Sequence, residues 1–291
     1  MKFGIEFINK GKFKVRYNSP SREFSNLREE FNIDAVNLSA KFGPLYVAFS
    51  SGVDSQIILR SFLDQKLDVT PVFLHAVGYN DLEYKRVLMC EKFFKIPIKV
   101  YTIDIEQHKS QWLLETDLNT RSQLPFEYLS SILEQDWPII TQGAFEPAIV
   151  GDTPSTAGVY HNKEETMILR HTLMQKHRQV IDFPYSPESV ASYYTDPMMK
   201  NFCNSLFYFS DSNIPYIDRY NAFAKPFVKG QYYKKDIIWF NKLTGSENYP
   251  EWLAKGSDYN KNTRVSVPYW ELVNFLETNK NTTKTFKDWI Y

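Results

Sequence analysis

Short runs of apolar residues alternate with segments of helical periodicity in the first half of the chain, and this alternation constrains the fold more than any other feature. The apolar runs cover residues 45–49, 71–77, 98–103 and 138–141. Apolar side chains recur every three or four positions in the segments between them, residues 56–64, 82–94 and 126–135. Strands that alternate with helices predict right-handed crossovers and a parallel sheet. The pattern therefore predicts an α/β fold.

Segments on either side of this alternating part extend the prediction to the whole chain. Residues 12–17 alternate polar and apolar side chains, which favours a strand, and residues 21–41 have helical spacing. Beyond residue 152 the strand signal fades, and helical segments are predicted at residues 163–178, 187–209, 234–243 and 268–278. We therefore expect an α/β domain over residues 1–152 and a mostly helical region over residues 153–291.

Charge and cysteine content limit the partners of the protein. Lysine plus arginine and aspartate plus glutamate each number 34, so no global field attracts nucleic acid or an anionic membrane. Cys90 and Cys203 are far apart and lie among apolar residues, which predicts buried thiols in a reducing compartment. No apolar run is long enough to span a bilayer, and the N-terminus lacks the apolar core of a signal peptide. We expect a cytoplasmic protein without a membrane partner.

The turn that follows the first apolar run is rich in small and hydroxyl-bearing residues. This serine loop consists of Ser50, Ser51, Gly52, Val53, Asp54 and Ser55. It joins a predicted strand to a predicted helix, where backbone N–H groups and the helix N-terminus can converge on a phosphate. Gly52 would let the backbone approach the phosphate, the serine hydroxyls can donate, and Asp54 would need a bridging Mg²⁺. Helix capping by Asp54 or Ser55 is the alternative interpretation.

The serine loop resembles the Ser-Gly-Gly-x-Asp-Ser signature of the PP-loop ATP pyrophosphatases, with Ser51 in place of the first glycine. It lacks the Gly-Lys-Ser/Thr ending of a Walker A loop, which excludes kinase and GTPase mechanisms. Within that superfamily, residues 24–150 are similar to the synthetase domain of asparagine synthetase and of the β-lactam synthetases. Three stretches carry this likeness, residues 27–54, 78–84 and 141–146. The resemblance implies a PP-loop fold of the adenine nucleotide alpha hydrolase-like (HUP) type and an enzyme that binds ATP and Mg²⁺.

The same resemblance implies a role for individual residues. The serine loop, Ser50 to Ser55, would hold the pyrophosphate end of ATP, and Gly143 would face it. The adenine would lie against Leu74, His75, Ala76 and Val77, with no catalytic role for His75. Asp54 and Glu146 would hold Mg²⁺, because Phe145 occupies the position of the family's aspartate; alternatively, Phe145 is a core residue and Glu146 is solvated. Lys234 is the first choice, and Lys229 the second, for a lysine that stabilises the reacting intermediate. The alternative is that both lysines are simply solvated.

The reaction implied by the resemblance is that of an AMP-forming ligase. A carboxylate or carbonyl oxygen of a small-molecule acceptor would be adenylated with release of pyrophosphate, and a nitrogen nucleophile would then displace AMP. The family's glutaminase half needs a cysteine after the initiator methionine, where this chain has Lys2. The nitrogen donor would therefore be free ammonia, an amine substrate or a donor delivered by a partner protein.

Two other functions remain open from the sequence. PP-loop enzymes also modify nucleotides and bases of nucleic acids, although those enzymes often carry paired cysteines or a basic domain, which this chain lacks. The stretch of residues 225–235, rich in lysine and tyrosine, could still bind a strand locally. A non-catalytic ATP-binding module is the other alternative, and Phe145 at the usual aspartate position motivates it.

Overall fold

The computed structural model describes residues 4–9, 12–115, 124–142, 146–149, 157–160, 173–183, 185–197, 199–200, 235–240, 249–254, 266–282 and 284–290. The strands are β1 (Gly4–Asn9), β2 (Lys12–Asn18), β3 (Leu45–Ala48), β4 (Val69–Ala76), β5 (Lys99–Ile103), β6 (Ile139–Gln142), β7 (Glu146–Ile149), β8 (Ala157–Tyr160), β9 (Val180–Phe183), β10 (Ser266–Pro268) and β11 (Thr285–Ile290). The helices are α1 (Leu27–Phe42), α2 (Val53–Asp64), α3 (Asp81–Phe94), α4 (Ile105–Glu115), α5 (Leu124–Ile132), α6 (Pro187–Thr195), α7 (Glu251–Ala254) and α8 (Tyr269–Thr278).

Five strands form the central sheet in the order β5-β4-β3-β6-β9. Every neighbouring pair in this sheet is parallel. The chain therefore starts at the central strand β3, adds β4 and β5 on one side, and then adds β6 and β9 on the other, as in a doubly wound sheet. The predicted α/β fold with a parallel sheet is confirmed.

Both faces of the central strand are buried, which explains its continuous apolar sequence. Leu45, Tyr46 and Val47 are completely shielded from solvent. Val47 packs in a core that α1, α2, α6 and α8 share on one face of the sheet. Tyr46 packs on the other face, in the cluster that contains Leu129 of α5. Helices on both faces fix the sheet in place, so the loops at its carboxyl end have a rigid base.

The sequence does not predict the fifth strand, Val180–Phe183. This strand has only four residues, and Asp182 interrupts its apolar run. It lies beyond residue 152 and pairs with β6, so the central sheet draws on residues from both predicted regions. The division of the chain at residue 152 stays a prediction.

Two small antiparallel sheets accompany the central one. One has the order β1-β2-β11 and the other the order β10-β8-β7. Of their strands, the sequence predicts only β2, because the remaining segments are short and lack a clear alternation. Across the residues that the structure describes, every helix is too short or too polar to cross a bilayer.

One predicted helix, residues 234–243, is wrong where the structure describes it. Lys235–Phe240 forms a turn followed by non-helical chain. The physical reason is that the backbone N–H and carbonyl groups of Ile238 both bond to the side chain of Gln56 in α2, which occupies them outside a helix. The predicted burial of Cys90 is confirmed, and this burial raises the pKa of its thiol to about 12. Cys203 lies outside the described residues.

Candidate functional site

The serine loop lies at the centre of the sheet, where ligands of open α/β folds bind. It follows the carboxyl end of β3 and leads directly into α2. The strand order reverses between β3 and β6, so the loop borders the topological switch point of the sheet. The predicted strand-loop-helix context of the loop is confirmed.

Ser51 adopts a backbone conformation that normally belongs to glycine. Its φ angle is 60°, in the left-handed region, and its side chain is buried. This conformation destabilises a residue with a Cβ by about 1 kcal/mol, whereas glycine adopts it almost without cost. The position is the one at which the resembled signature has glycine, so the loop keeps the glycine-like backbone with a serine in it.

Gly52 keeps the exposed side of the loop open. It is the N-cap residue of α2, in an extended conformation with φ −63° and ψ 157°. A Cβ on Gly52 would lie 3.2 Å from the hydroxyl oxygen of Ser50, closer than ordinary contact. The Gly52 N–H donates to the same oxygen at 3.4 Å, a long bond that a phosphate oxygen can replace. Ser50 and Gly52 are exposed, so an anion has access to them.

The buried Ser55 side chain stabilises the loop through hydrogen bonds. Its hydroxyl is buried and donates to the carbonyl oxygen of Gly52 at 3.0 Å. The Ser55 hydroxyl oxygen in turn accepts the N–H of Ser50 at 3.3 Å. These bonds hold the two ends of the loop together and leave the first N–H groups of α2 directed along the helix axis toward the ligand side. The arrangement suits an anion such as phosphate.

Asp54 supplies one carboxylate beside the loop. It lies in the first turn of α2 and is partly exposed. No group of three His, Cys, Asp or Glu side chains in the described ranges is arranged to hold a metal. One carboxylate is enough for Mg²⁺ when phosphates and water complete its octahedron, so Asp54 fits a magnesium nucleotide.

Several predicted site residues cannot be placed. Glu146 begins β7, but its side chain lies outside the description. Gly143 and Phe145 lie outside the described residues, and so do both predicted lysines, Lys229 and Lys234. Their roles stay predictions.

The end of β4, where the adenine was expected, is closed by a side chain. Asn80 is buried, and its Oδ1 accepts the N–H of Ala76 at 2.8 Å while its Nδ2 donates to the carbonyl of Leu74 at 2.9 Å. The N–H of Val77 donates to the carbonyl of Ile103 at 3.2 Å. Val77 is 52% exposed, whereas Ala76 is buried. An adenine in this place would therefore meet apolar surface at Val77, since these backbone groups are already bonded.

His75 forms a pair with Asp81 that the sequence interpretation missed. Its Nε2 lies 2.7 Å from Asp81 Oδ1, and its ring stacks on Tyr84 at 4.3 Å between centroids. The bond from His75, and then the bond from the N–H of Gly78, lower the pKa of the Asp81 carboxyl. The histidine is thus an oriented polar group beside the turn after β4. Its spacing of six residues from Asp81, across a strand end and a helix start, was the available signal.

Glu83, in the first turn of α3, has a carboxyl group with a raised pKa. Burial raises the pKa of its carboxyl to about 7, although the positive charge of Arg86 and a hydrogen bond with Asn80 oppose the change. Burial, followed by the negative charge of Glu83, also raises the pKa of Tyr249. A carboxyl with this pKa changes charge near neutral pH, beside the turn that follows β4.

Residues 249–254 bring the C-terminal half of the chain to the same end of the sheet. Glu106, in the first turn of α4, accepts bonds from the Tyr79 hydroxyl at 2.9 Å and from the Trp252 indole at 3.2 Å. The rings of Tyr79 and Tyr249 pack at 6.2 Å. This C-terminal segment therefore lies against the loop after β4 and the start of α4.

The fold and this loop define an α/β protein with a candidate anion site at the switch point of a parallel sheet. No protein-family model and no curated protein matches the sequence. The NMN synthetase of Francisella tularensis is similar in structure over 88% of this chain and 94% of that chain, at 14% sequence identity and a TM-score of 0.32. A similarity this low carries no argument, so the fold class rests on the strand order and any function on the site.

Proposed function

We propose that the protein is an ATP-dependent, AMP-forming synthetase of the asparagine synthetase-like kind. The geometry of the serine loop is the observation that supports this proposal. The loop combines a glycine-like backbone at Ser51, an exposed Gly52 and the N-terminus of α2 at the switch point of the sheet. These are the features that bind a polyphosphate.

The proposed reaction has two steps. An oxygen of a small-molecule carboxylate, or of a carbonyl group, attacks the α-phosphorus of ATP, the bond from this phosphorus to the bridging oxygen breaks, and pyrophosphate leaves. A nitrogen nucleophile, either ammonia or an amine, then attacks the activated carbon and loses a proton while AMP departs. Adenylation is useful because AMP is a far better leaving group than oxide or hydroxide. The nitrogen donor would arrive from solution or from a partner protein.

The residues of the loop would act mainly on charge. The N–H groups of Gly52 and of the first turn of α2 would stabilise the pyrophosphate as it leaves, because the helix N-terminus carries partial positive charge. Asp54, together with Glu146, would hold Mg²⁺, which offsets the charge of the polyphosphate. Lys234 or Lys229 would supply a cation near the reacting centre.

The test is the identity of the products. Purified protein is incubated with ATP, MgCl₂ and a panel of carboxylates, each with ammonia or an amine, and AMP and pyrophosphate are measured by phosphorus NMR. We expect AMP and pyrophosphate in equal amounts, with at least a hundredfold lower rate in Asp54→Asn, a change that preserves side-chain size. Formation of ADP and phosphate, or equal rates in both proteins, contradicts the proposal.

Two further outcomes would favour the alternatives. ATP binding that is independent of Mg²⁺, without turnover on any acceptor, would indicate a non-catalytic module. Salt-sensitive binding of labelled RNA or DNA, together with AMP formation only in its presence, would indicate a base-modifying enzyme.

A further inference from the structure

The side-chain amide of Gln56 joins two parts of the chain that are far apart in sequence. Gln56 is the fourth residue of α2 and is fully buried. Its Nε2 donates to the carbonyl oxygen of Ser51 at 2.8 Å and to the carbonyl oxygen of Ile238 at 2.9 Å. Its Oε1 accepts the N–H of Ile238 at 2.8 Å. One side chain thus bonds the serine loop and the segment Lys235–Phe240 at the same time.

These three bonds require a glutamine. Two carbonyl oxygens need donors and one N–H needs an acceptor, so only one orientation of the amide satisfies them. An ionised glutamate would place an oxygen against both carbonyls, and a methionine of similar length would supply neither donor nor acceptor. Because all the groups are buried or nearly so, each unmade bond has a substantial cost.

An ion cluster at the other end of α2 holds the same segment. The Asp236 carboxylate is buried and lies 3.2 Å from the guanidinium of Arg28, which also contacts Asp64 at 2.7 Å. Asp64 ends α2, whereas Gln56 lies in its first turn. The chain from Asp236 to Ile238 therefore runs along α2 toward the serine loop. Beyond it, the ring of Phe240 lies under Arg86 of α3 at 5.0 Å.

The bond to Ser51 falls where the loop is strained. Ser51 has a φ of 60°, and a left-handed residue keeps its place only when its surroundings hold it there. The Gln56 amide fixes the carbonyl of this residue, and the same amide is fixed by Ile238. The shape of the serine loop therefore depends on the presence of the C-terminal segment.

We propose that Gln56 is a positioning residue that makes the serine loop and the segment Lys235–Phe240 a single structural unit. Opening of the segment breaks the two bonds between Gln56 and Ile238, so the amide that holds the Ser51 carbonyl loses the partner that fixes it. The consequence for ATP affinity rests on the proposed function, because it requires that the loop bind the nucleotide.

Hydrogen exchange without nucleotide tests the structural linkage. In the wild-type protein we expect peptides that cover residues 50–56 and 235–240 to open with the same free energy as denaturant is raised. Gln56→Met should accelerate exchange in both peptides at least tenfold. Gln65→Met is the matched control, because Gln65 follows the end of α2 and is exposed. Different opening free energies in the wild type, or acceleration confined to one peptide, would overturn the proposal.

ATP binding tests the functional consequence. We expect the Kd for ATP, measured by calorimetry in the folded variants, to rise at least tenfold in Gln56→Met and in Gln56→Glu, and to be unchanged in Gln65→Met. Adding Ser51→Gly to Gln56→Met should restore part of the affinity, because glycine adopts a positive φ without support. A general loss of packing would not respond to Ser51→Gly, so an equal loss of affinity with and without it contradicts a positioning role.

Hydrogen exchange and ATP binding together distinguish a failure of the Gln56 proposal from a failure of the proposed function. If the wild-type protein binds no ATP, the proposed function fails, while hydrogen exchange still decides whether Gln56 links the two parts. If neither Gln56 variant folds, exchange in the wild-type protein still decides whether the two parts open together. The wild-type exchange comparison needs no variant at all.

Discussion

Single residues of the serine loop show how a departure from a familiar signature can leave the backbone unchanged. Ser51 carries a side chain where the resembled pattern has glycine, and yet its φ is 60°. The strain is local and is offset by a bond from Gln56 to the carbonyl of the same residue. The sequence shows that serine replaces glycine at position 51, but it does not show the hydrogen bond from Gln56 that holds this residue. That bond depends on how the loop folds back on the first turn of α2.

Ser51 gives a direct test of this strain. We expect Ser51→Gly to have a free energy of unfolding about 1 kcal/mol higher than Ser51→Ala, because both lose the hydroxyl and only alanine keeps the Cβ that disfavours positive φ. Urea unfolding at neutral pH measures the difference. Equal stability of the two variants would mean that residue 51 has a negative φ.

Glu83 should make stability depend on pH near neutrality. Its folded pKa of about 7 lies above the ordinary value of 4.5, so the folded state binds the proton more tightly. The stabilisation is complete below about pH 4.5 and is lost as pH rises through 7. Between pH 5 and pH 8, the free energy of unfolding of the wild type should fall by at most about 3 kcal/mol relative to that of Glu83→Gln.

Urea unfolding across this pH range provides the measurement for Glu83. Glu29→Gln is a suitable control, because Glu29 is an exposed glutamate in the first turn of α1. A wild-type profile parallel to that of Glu83→Gln would show that the Glu83 carboxyl is not shielded from water.

At the scale of elements, the sequence predicts what is locally encoded and misses what distant contacts impose. The four strands β3 to β6 lie within two residues of the predicted bounds, because strands buried on both faces read as continuous apolar runs. β9 is too short to show a pattern, and it forms because β6 needs a partner. Lys235–Phe240 has helical periodicity, but hydrogen bonds to Gln56 override it. The location of the site followed from the serine loop, whereas the His75–Asp81 pair depends on a turn that periodicity does not reveal.

The junction of β3 and α2 depends on the absence of a side chain at Gly52. We expect Gly52→Ala to weaken ATP binding about tenfold, because the new Cβ would lie 3.2 Å from the Ser50 hydroxyl and would narrow access to the N–H groups. The fold should remain stable, since the φ of Gly52 is −63° and alanine accepts it. Calorimetric titration with ATP measures the change, and an unchanged Kd would place the phosphates elsewhere.

At the scale of the whole molecule, one cluster of charges connects α1, α2 and the C-terminal segment. The Arg28 guanidinium contacts the carboxylates of Asp64 and Asp236, and the Asp236 side chain is only 3% exposed. Removal of the Arg28 cation would take a close charge partner from this buried carboxylate, which Arg60 also approaches, at 4.0 Å.

We therefore expect Arg28→Met to lower the free energy of unfolding by about 3 kcal/mol. Lys99→Met serves as the control, because its pair with Glu134 is exposed and should contribute little to stability. Urea denaturation of both variants compares the two costs. Similar small effects would indicate that the cluster is hydrated.

The pairing of β9 with β6 has a practical consequence for anyone who divides this chain. A fragment that stops at residue 152 would lack Val180–Phe183, and the outer backbone groups of β6 would then be open to another molecule. Apolar surface that Ile181 and Phe183 normally cover would face water as well. Such a fragment would be prone to aggregate through exposed strand pairing, so the first half of the sequence is not expected to behave as a well-dispersed protein without residues from the second.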